Sequence, residues 1–314
     1  MNRNTKTSSL TEAAMICGIL VIMSMLSAYI FPFIDFLFPI PAIIFSKRRG
    51  FKYSSLAAIA ASIIITIILG PANGLIYLVL YTPMAVAMSY LIDKDKKAST
   101  ILLGGAIVMI ISIVVSLIII SKVVGINVIE QLTITVKEMF NIQEKILNTI
   151  GTKEQIESLS DFYDLFLELL INLLPVAIMT FSLGLAYINY VLAQKLAVRF
   201  KIELKQLRDI AYFSLPKYFM LSIGVFLIVF FLLGRFNFPN IDIIIANIIT
   251  IVQLALMLQG LAIAKYFMIY LRINGFFRVI VFLLIIFNPA IMFITSGIAV
   301  LDLIFDFRKL RTRI

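Results

Sequence analysis

The chain contains no histidine, no tryptophan and one cysteine, Cys17. Without histidine there is no Ser-His-Asp or Cys-His nucleophile, no HExxH zinc site and no His-ligated haem. A lone cysteine excludes a disulfide within the chain. No Walker A sequence occurs, so the chain does not energise transport with ATP by itself. Charge is scarce as well: 14% of the 314 residues are charged against 62% apolar, whereas soluble domains run at about 25% and roughly 45–50%. So few charges cannot cover the surface of a soluble domain of this size. With no cluster of catalytic residue types at a common depth, the chain reads as a membrane protein that is not an enzyme and holds no cofactor or metal.

Long apolar runs are what the sequence has instead. Separated at their breakers, they give ten candidate crossings at 10–30, 35–45, 53–69, 75–92, 101–120, 165–192, 218–233, 241–271, 276–287 and 290–305. At about 1.5 Å per residue the second and ninth cover less than about 20 Å, short of a roughly 30 Å hydrocarbon core, so each is a half-helix or a re-entrant segment if it does not cross. The expected fold class is an all-α polytopic transmembrane bundle of about 8–10 segments in the plasma membrane.

Charge sets the parity. With ten crossings and a cytoplasmic amino terminus, all of the 27 basic residues fall inside except Lys122, Lys137, Lys145, Lys153 and Arg235. Dropping only the second crossing strands Lys47, Arg48 and Arg49 on the wrong side; dropping only the ninth strands the basic tail with Arg308, Lys309, Arg311 and Arg313. Positive-inside bias therefore places both termini in the cytoplasm. The net charge of +10 then means orientation and contact with anionic lipid heads of the bilayer, not nucleic acid. Arg3 and Lys6 before the first run read as the flank of an uncleaved anchor rather than a signal peptide, because the run is long and further spans follow at once.

Three regions follow: a six-crossing unit over 1–192, a basic cytoplasmic loop over 193–217 with Lys195, Arg199, Lys201, Lys205, Arg208 and Lys217, and a four-segment extension over 218–314. The first unit carries an outer insertion at 121–164. There Ile129, Leu132, Val136, Met139, Ile146 and Ile150, interrupted by Gln143, form a heptad stripe. Gly151 ends that helix and Thr152 with Gln155 caps the next. Such a pair lies on the outer leaflet or bundle rim, covers an outward pocket, or docks an extracellular partner.

Polar residues inside the apolar runs are the candidate sites. Glu168 and Asn172 stand one turn apart just before Pro175, either lining an outward substrate pocket or reaching interfacial water. Asn247, Thr250 and Gln253 recur every three residues and serve interhelical hydrogen bonding or a substrate cavity. Asp302 is a candidate structural ion-pair partner for Lys265 or Arg278. Asn288-Pro289-Ala290 spells a water-channel tripeptide, but a second copy is lacking and a Pro-capped turn between helices explains it.

Ala13, Ala14, Cys17 and Gly18 place small residues four apart on the first helix; Ala57 with Ala61 and Ala58 with Ser62 repeat the device on the third. Those surfaces pack within the bundle or dock another membrane protein. Phe38-Pro39-Ile40-Pro41-Ala42 before a basic turn, then Gly70-Pro71-Ala72-Asn73-Gly74 before a further apolar helix, resembles the substrate-capture (S) subunits of energy-coupling-factor vitamin transporters. Those have six transmembrane helices, and in them small residues of the first helix dock a shared membrane subunit, which the resemblance implies for Ala14 and Gly18. The whole chain, with its closing Gly297-Ile298-Ala299-Val300-Leu301-Asp302 and Asp306-Phe307-Arg308-Lys309, is more specifically similar to the YybS family of Gram-positive membrane proteins. That resemblance implies no particular substrate. Four further crossings, the outer insertion and the lack of a vitamin-identifying motif set the chain apart from S subunits.

The reading that results is a solute-binding or transport subunit that takes a small-molecule ligand at the outer face and relies on a membrane-protein partner for energy; the alternative is a scaffold or regulator acting through its loops. Topology is directly measurable. With Cys17 replaced, a cysteine introduced at Ser158 should be modified by an impermeant reagent from outside, and one at Ser214 should be spared; the reverse labelling would invert the map.

Overall fold

Where no water can reach, backbone N–H and C=O groups must bond to one another, which makes helices the local solution for runs this apolar. The computed structural model describes residues 3–125, 127–150, 153–216, 218–235 and 240–310, and among them there is no strand. They divide into two compact units, 1–207 and 208–314.

The first unit opens with α1 (Arg3–Tyr29), a 3-10 turn (Pro32–Leu37), α2 (Pro39–Arg49) and α3 (Phe51–Leu69). A broken span follows: α4 (Pro71–Ile76), a π-helical turn (Tyr77–Tyr81) and α5 (Thr82–Asp93). Then come α6 (Ala98–Ile119), α7 (Val128–Ile150), α8 (Lys153–Asn172) and α9 (Leu174–Arg199). α1 packs on α3, α6 lies between α5 and α9, and α2 is wedged against α3, α5 and α9. The core between them holds Leu20, Phe38, Ile43, Ile65, Met84, Met88, Met109 and Tyr190. Glycines at positive φ, Gly50 (91°) and Gly70 (90°), turn the chain at both ends of α3. The second unit has α10 (Phe219–Arg235), α11 (Ile241–Tyr270), α12 (Gly275–Phe287) and α13 (Pro289–Phe305), with α13 packed along α11.

Six described helices are long and apolar enough to cross a membrane: Lys6–Tyr29, Phe51–Leu69, Pro71–Asp93, Ala98–Lys122, Leu174–Arg199 and Ile241–Tyr270. α12 and α13 meet at 100° and make a seventh if they count as one broken span. Among the described residues, then, six or seven spans meet that length against the ten candidate runs of the sequence. The segment at 35–45 becomes the 3-10 turn plus an 11-residue α2, about 16 Å of helix and half a bilayer core. α10, at 17 residues, is short of the roughly 20 a crossing asks for. The run at 165–192 is cut at Leu173, because Pro175 lacks an N–H and starts α9 instead of kinking it. The tripeptide at 288–290 is a helix cap: Asn288 Oδ1 accepts from the backbone N–H groups of Ala290 (3.0 Å) and Ile291 (3.2 Å), with Pro289 at the start of α13. The proposed cap at Gly151 and Thr152, together with Lys217, Arg311 and Arg313, lies outside the described residues, as do the side chains of Ile146, Ile150 and Gln155. On the described part of α7 the stripe turns: Val136 is buried and Leu132 and Phe140 half-buried, while Ile129 and Met139 are exposed.

The small faces part company. Ala57, Ala58, Ala61 and Ser62 of α3 are all buried, but on α1 the seam is Ala13, Cys17, Leu20 and Ser24, and Ala14 and Gly18 point away from it. A Cβ on Gly18 would meet nothing within 4 Å. Among the described residues of the first unit, packing therefore does not use the Ala14–Gly18 face. Gly74 is the glycine that close packing requires, since a Cβ there would lie 2.5 Å from the Thr66 Cα. Gly74→Ala should lower thermal stability in mild detergent by about 1–3 kcal/mol, through overpacking against backbone that cannot yield. Gly18→Ala should leave the unfolding midpoint where it was.

Candidate functional site

The break between α1 and α2 carries a carboxylate into the first unit. Pro32 and Pro39 stop a continuous helix, and the 3-10 turn between them presents Asp35, which is half-buried. The Tyr77 hydroxyl, on the π-helical turn, donates to Asp35 Oδ1. The Tyr77 ring lies 5.1 Å from that of Phe38 and 5.6 Å from that of Tyr81. Ser27 donates to the Pro32 carbonyl (2.9 Å), and Asn189 Nδ2 of α9 donates to the Phe36 carbonyl (2.7 Å) and to Leu185 O (2.9 Å). Asn189 lies fifteen residues into α9, about 22 Å along it. The wedge is thus tied by hydrogen bonds to helices long and apolar enough to cross a membrane. A π turn facing a broken segment is a feature that binding sites in membrane proteins share.

At the other end of the unit the helices are tied by charge. Arg48 and Arg49 pair with Glu12 of α1, and Lys47 (3.0 Å) and Lys205 (2.8 Å) both pair with Asp95. The three basic residues also sit on the last turn of α2, where the helix dipole favours them. The Lys205 and Lys47 ammonium groups hold the Asp95 carboxyl below its ordinary range, so the clamp stays charged at neutral pH. The Lys205 carbonyl accepts from Tyr190 (2.7 Å) and Gln194 (2.6 Å), which draws the 201–207 segment across this end. The cavity beneath, about 10 Å³ between Lys47, Asp95, Tyr190 and Lys205, has room for one water.

The second unit has its own polar core. Arg308 and Asp302 are both buried and paired at 2.9 Å. Gln259 of α11 donates to the same carboxylate oxygen (2.8 Å) and accepts from the Leu215 N–H (2.9 Å); Arg308 donates to the carbonyls of Ala211 and Phe213 (2.9 Å each). Lys265, offered above as the partner of Asp302, instead pairs with Asp209 at 2.8 Å. Burial acts to raise the Asp209 pKa, but Lys265 and the Ala211 N–H outweigh it and hold the group below its ordinary value.

The remaining sequence candidates are dispersed. Glu168 is exposed and Asn172 half-buried at the end of α8, a helix that packs chiefly on α7. Their one-turn spacing holds, but they stand before the break at Leu173 and not on a spanning helix. Asn247 and Thr250 bond carbonyls of their own helix, Ile243 (2.8 Å) and Ala246 (2.8 Å), and Gln253 is half-buried. Asp35, Tyr77, Gln259 and Arg308 were passed over by sequence reasoning. For Asp35 a signal was available: a single acid between Phe31-Pro32-Phe33-Ile34 and Phe36-Leu37-Phe38 has apolar neighbours on both sides.

Residues 15–303 match the family described as "Predicted membrane protein (DUF2232)". The chain is 26% identical over 216 residues to a Bacillus subtilis (strain 168) protein described as "Uncharacterized protein YybS", covering 68% of this chain and 69% of that one. No solved structure matches.

The buried pair of the second unit is testable through stability. Arg308→Ala leaves the Asp302 carboxylate buried without its cation, at a cost of about 3–5 kcal/mol, whereas Asp302→Leu combined with Arg308→Met should recover most of that loss. Lys265→Ala, which breaks a partly exposed pair, should cost about 1 kcal/mol or less. Thermal unfolding of the detergent-solubilised variants ranks the three.

Proposed function

The chain belongs to the DUF2232 family of predicted membrane proteins, and from that premise we propose that this multi-pass protein is a solute-binding or transport subunit whose first unit captures a small molecule. The observation that carries the reading is Asp35, a carboxylate set among spanning helices on a broken segment and held by Tyr77 of a π turn. Ionisable groups among membrane helices are costly and mark ligand or ion sites by default. The proposal moves the site from Glu168 and Asn172 to Asp35, Tyr77 and Asn189.

Orientation enters the same proposal. The clamp of Lys47, Arg48, Arg49, Asp95 and Lys205 is the basic end and so faces the cytoplasm by the positive-inside rule. α1 starts at that end, where Glu12 pairs with Arg49, and runs away from it to the break. Solute then enters from the outer side, and the clamp closes the inner one. Energy comes from partner proteins, since the chain has no Walker A sequence of its own. One observation favours a scaffold instead: α7 and α8 pack on each other and leave Met139, Ile142, Phe162 and Leu165 exposed, an apolar surface suited to a protein partner.

Purification in mild detergent followed by mass spectrometry of retained metabolites and proteins separates the two. Solute capture requires a metabolite that accompanies the parent protein and is lost from Asp35→Asn while its elution profile and unfolding midpoint are kept. A scaffold gives a stoichiometric protein partner and no metabolite that depends on Asp35.

A further inference from the structure

The two carboxylates held inside the units differ in what neutralises them. Asp302 has Arg308 at 2.9 Å, whereas among the described residues Asp35 has no Lys or Arg within ion-pair distance. Its bonded partner is a neutral phenol, Tyr77. A second acceptor belongs to the side chain that holds the next residue, Phe36. Asn189 is fully buried, and its Nδ2 is committed to two carbonyls, Phe36 O and Leu185 O. Turning the amide over would set its oxygen against both carbonyls, so the orientation is determined by its surroundings. The Oδ1 atom is left buried with no hydrogen-bond partner, which costs free energy unless a donor reaches it. The rings next to the Tyr77 hydroxyl are aromatic neighbours of one another, with Phe38 against both Tyr77 (5.1 Å) and Tyr81 (6.3 Å).

A carboxylate without a countercharge and an amide oxygen without a donor, next to a cluster of aromatic rings, ask for the same thing: positive charge carrying N–H groups. An anion would be repelled by Asp35. A neutral polyol would leave the carboxylate charge uncompensated in a low-dielectric setting. We infer that the solute of the first unit is a small organic cation, a protonated amine whose N–H groups are accepted by Asp35 and the Asn189 Oδ1 atom and whose charge lies against Tyr77 and Tyr81. The inference rests on the solute-capture reading and deepens it. In the described state the Tyr77 hydroxyl occupies the carboxylate, so binding exchanges that phenol donor for the ammonium of the ligand. No covalent step is involved.

The absence of tryptophan makes the experiment direct, because emission comes from the 12 tyrosines alone. Purified full-length protein is titrated with ethanolamine, choline and putrescine chlorides, with ethylene glycol and sodium acetate as neutral and anionic counterparts, and with sodium and potassium chloride at matched ionic strength. Thermal unfolding and tyrosine emission are both read. At least one amine should raise the unfolding midpoint saturably and change the emission. Asp35→Asn should weaken that amine about tenfold or more, the scale of a lost charge-assisted contact, and Tyr77→Phe, which removes the emitting phenol beside the carboxylate, should reduce the change in emission. If Asp35→Asn does not fold, Asn189→Ala carries the test, with weaker amine binding at an unchanged elution profile.

The inference is overturned if no amine gives a saturable response, if sodium or potassium chloride reproduces the shift, or if Asp35→Asn or Asn189→Ala folds and binds the amine as the parent does. Glycol or acetate binding that depends on Asp35 would also overturn the cation assignment while leaving solute capture standing. Loss of capture itself reads out differently, as co-purified metabolites identical between the parent and Asp35→Asn.

Discussion

In a bilayer, apolar helix faces gain little by touching each other, because lipid tails are as apolar as the side chains they replace. The architecture here therefore depends on polar groups satisfied across helices and on backbones that come close. Ser46 of α2 donates to the Ser89 carbonyl of α5 (2.6 Å), Ser54 of α3 donates to Ala42 O (2.7 Å) and meets Ser89 (3.0 Å), and Ser62 and Thr82 share a 2.6 Å bond deeper in the unit. These tie α2, α3 and α5 into one body. Each such bond contributes on the order of 0.6 kcal/mol, so the ladder matters more than any rung. Close approach does the complementary work, with Gly74 against Thr66 in the first unit and Gly260 against Thr295 in the second.

That dependence explains what could be read from the sequence. Run length and composition do not need tertiary partners, so the all-helical membrane class and spans such as Phe51–Leu69 and Leu174–Arg199 were legible, as was the Asn288 cap, which is local chemistry. The family resemblance was legible too, and the match covers residues 15–303. Helix phase was not. α1 is apolar or small on every side, so periodicity could not tell the Ala13–Cys17 seam from the Ala14–Gly18 face. Pairing over long separations was equally hidden: Asp302 meets Gln259 across 43 residues, and Asn189 meets Phe36 across 153. Asp35 was counted as the edge of a crossing because a half-length helix and its 3-10 lead-in look in sequence like one short span.

Two carboxylates therefore mark two designs. Asp302 carries its own cation in Arg308, a second donating side chain in Gln259, and backbone carbonyls arranged around the same guanidinium. Removal of any part leaves a buried group unmatched, which is the signature of a latch between α11, α13 and the 211–215 segment. Among the described residues Asp35 is matched only by a phenol. A structural role could have been filled by an arginine as in the second unit. The missing charge is what a ligand site has to leave open if its ligand is to supply that charge.

The backbone around Asp35 argues the same way. Irregular chain at membrane depth is tolerated only where protein covers it or it faces a cavity, since each unmet carbonyl costs several kcal/mol in hydrocarbon. Here Ser27 covers Pro32 O and Asn189 covers Phe36 O, two polar side chains from two different spans serving one short turn. A simple connection between α1 and α2 would need neither, because a turn at the interface bonds to water. Two donors committed to one short turn hold in place what that turn presents, the Asp35 carboxylate facing Tyr77.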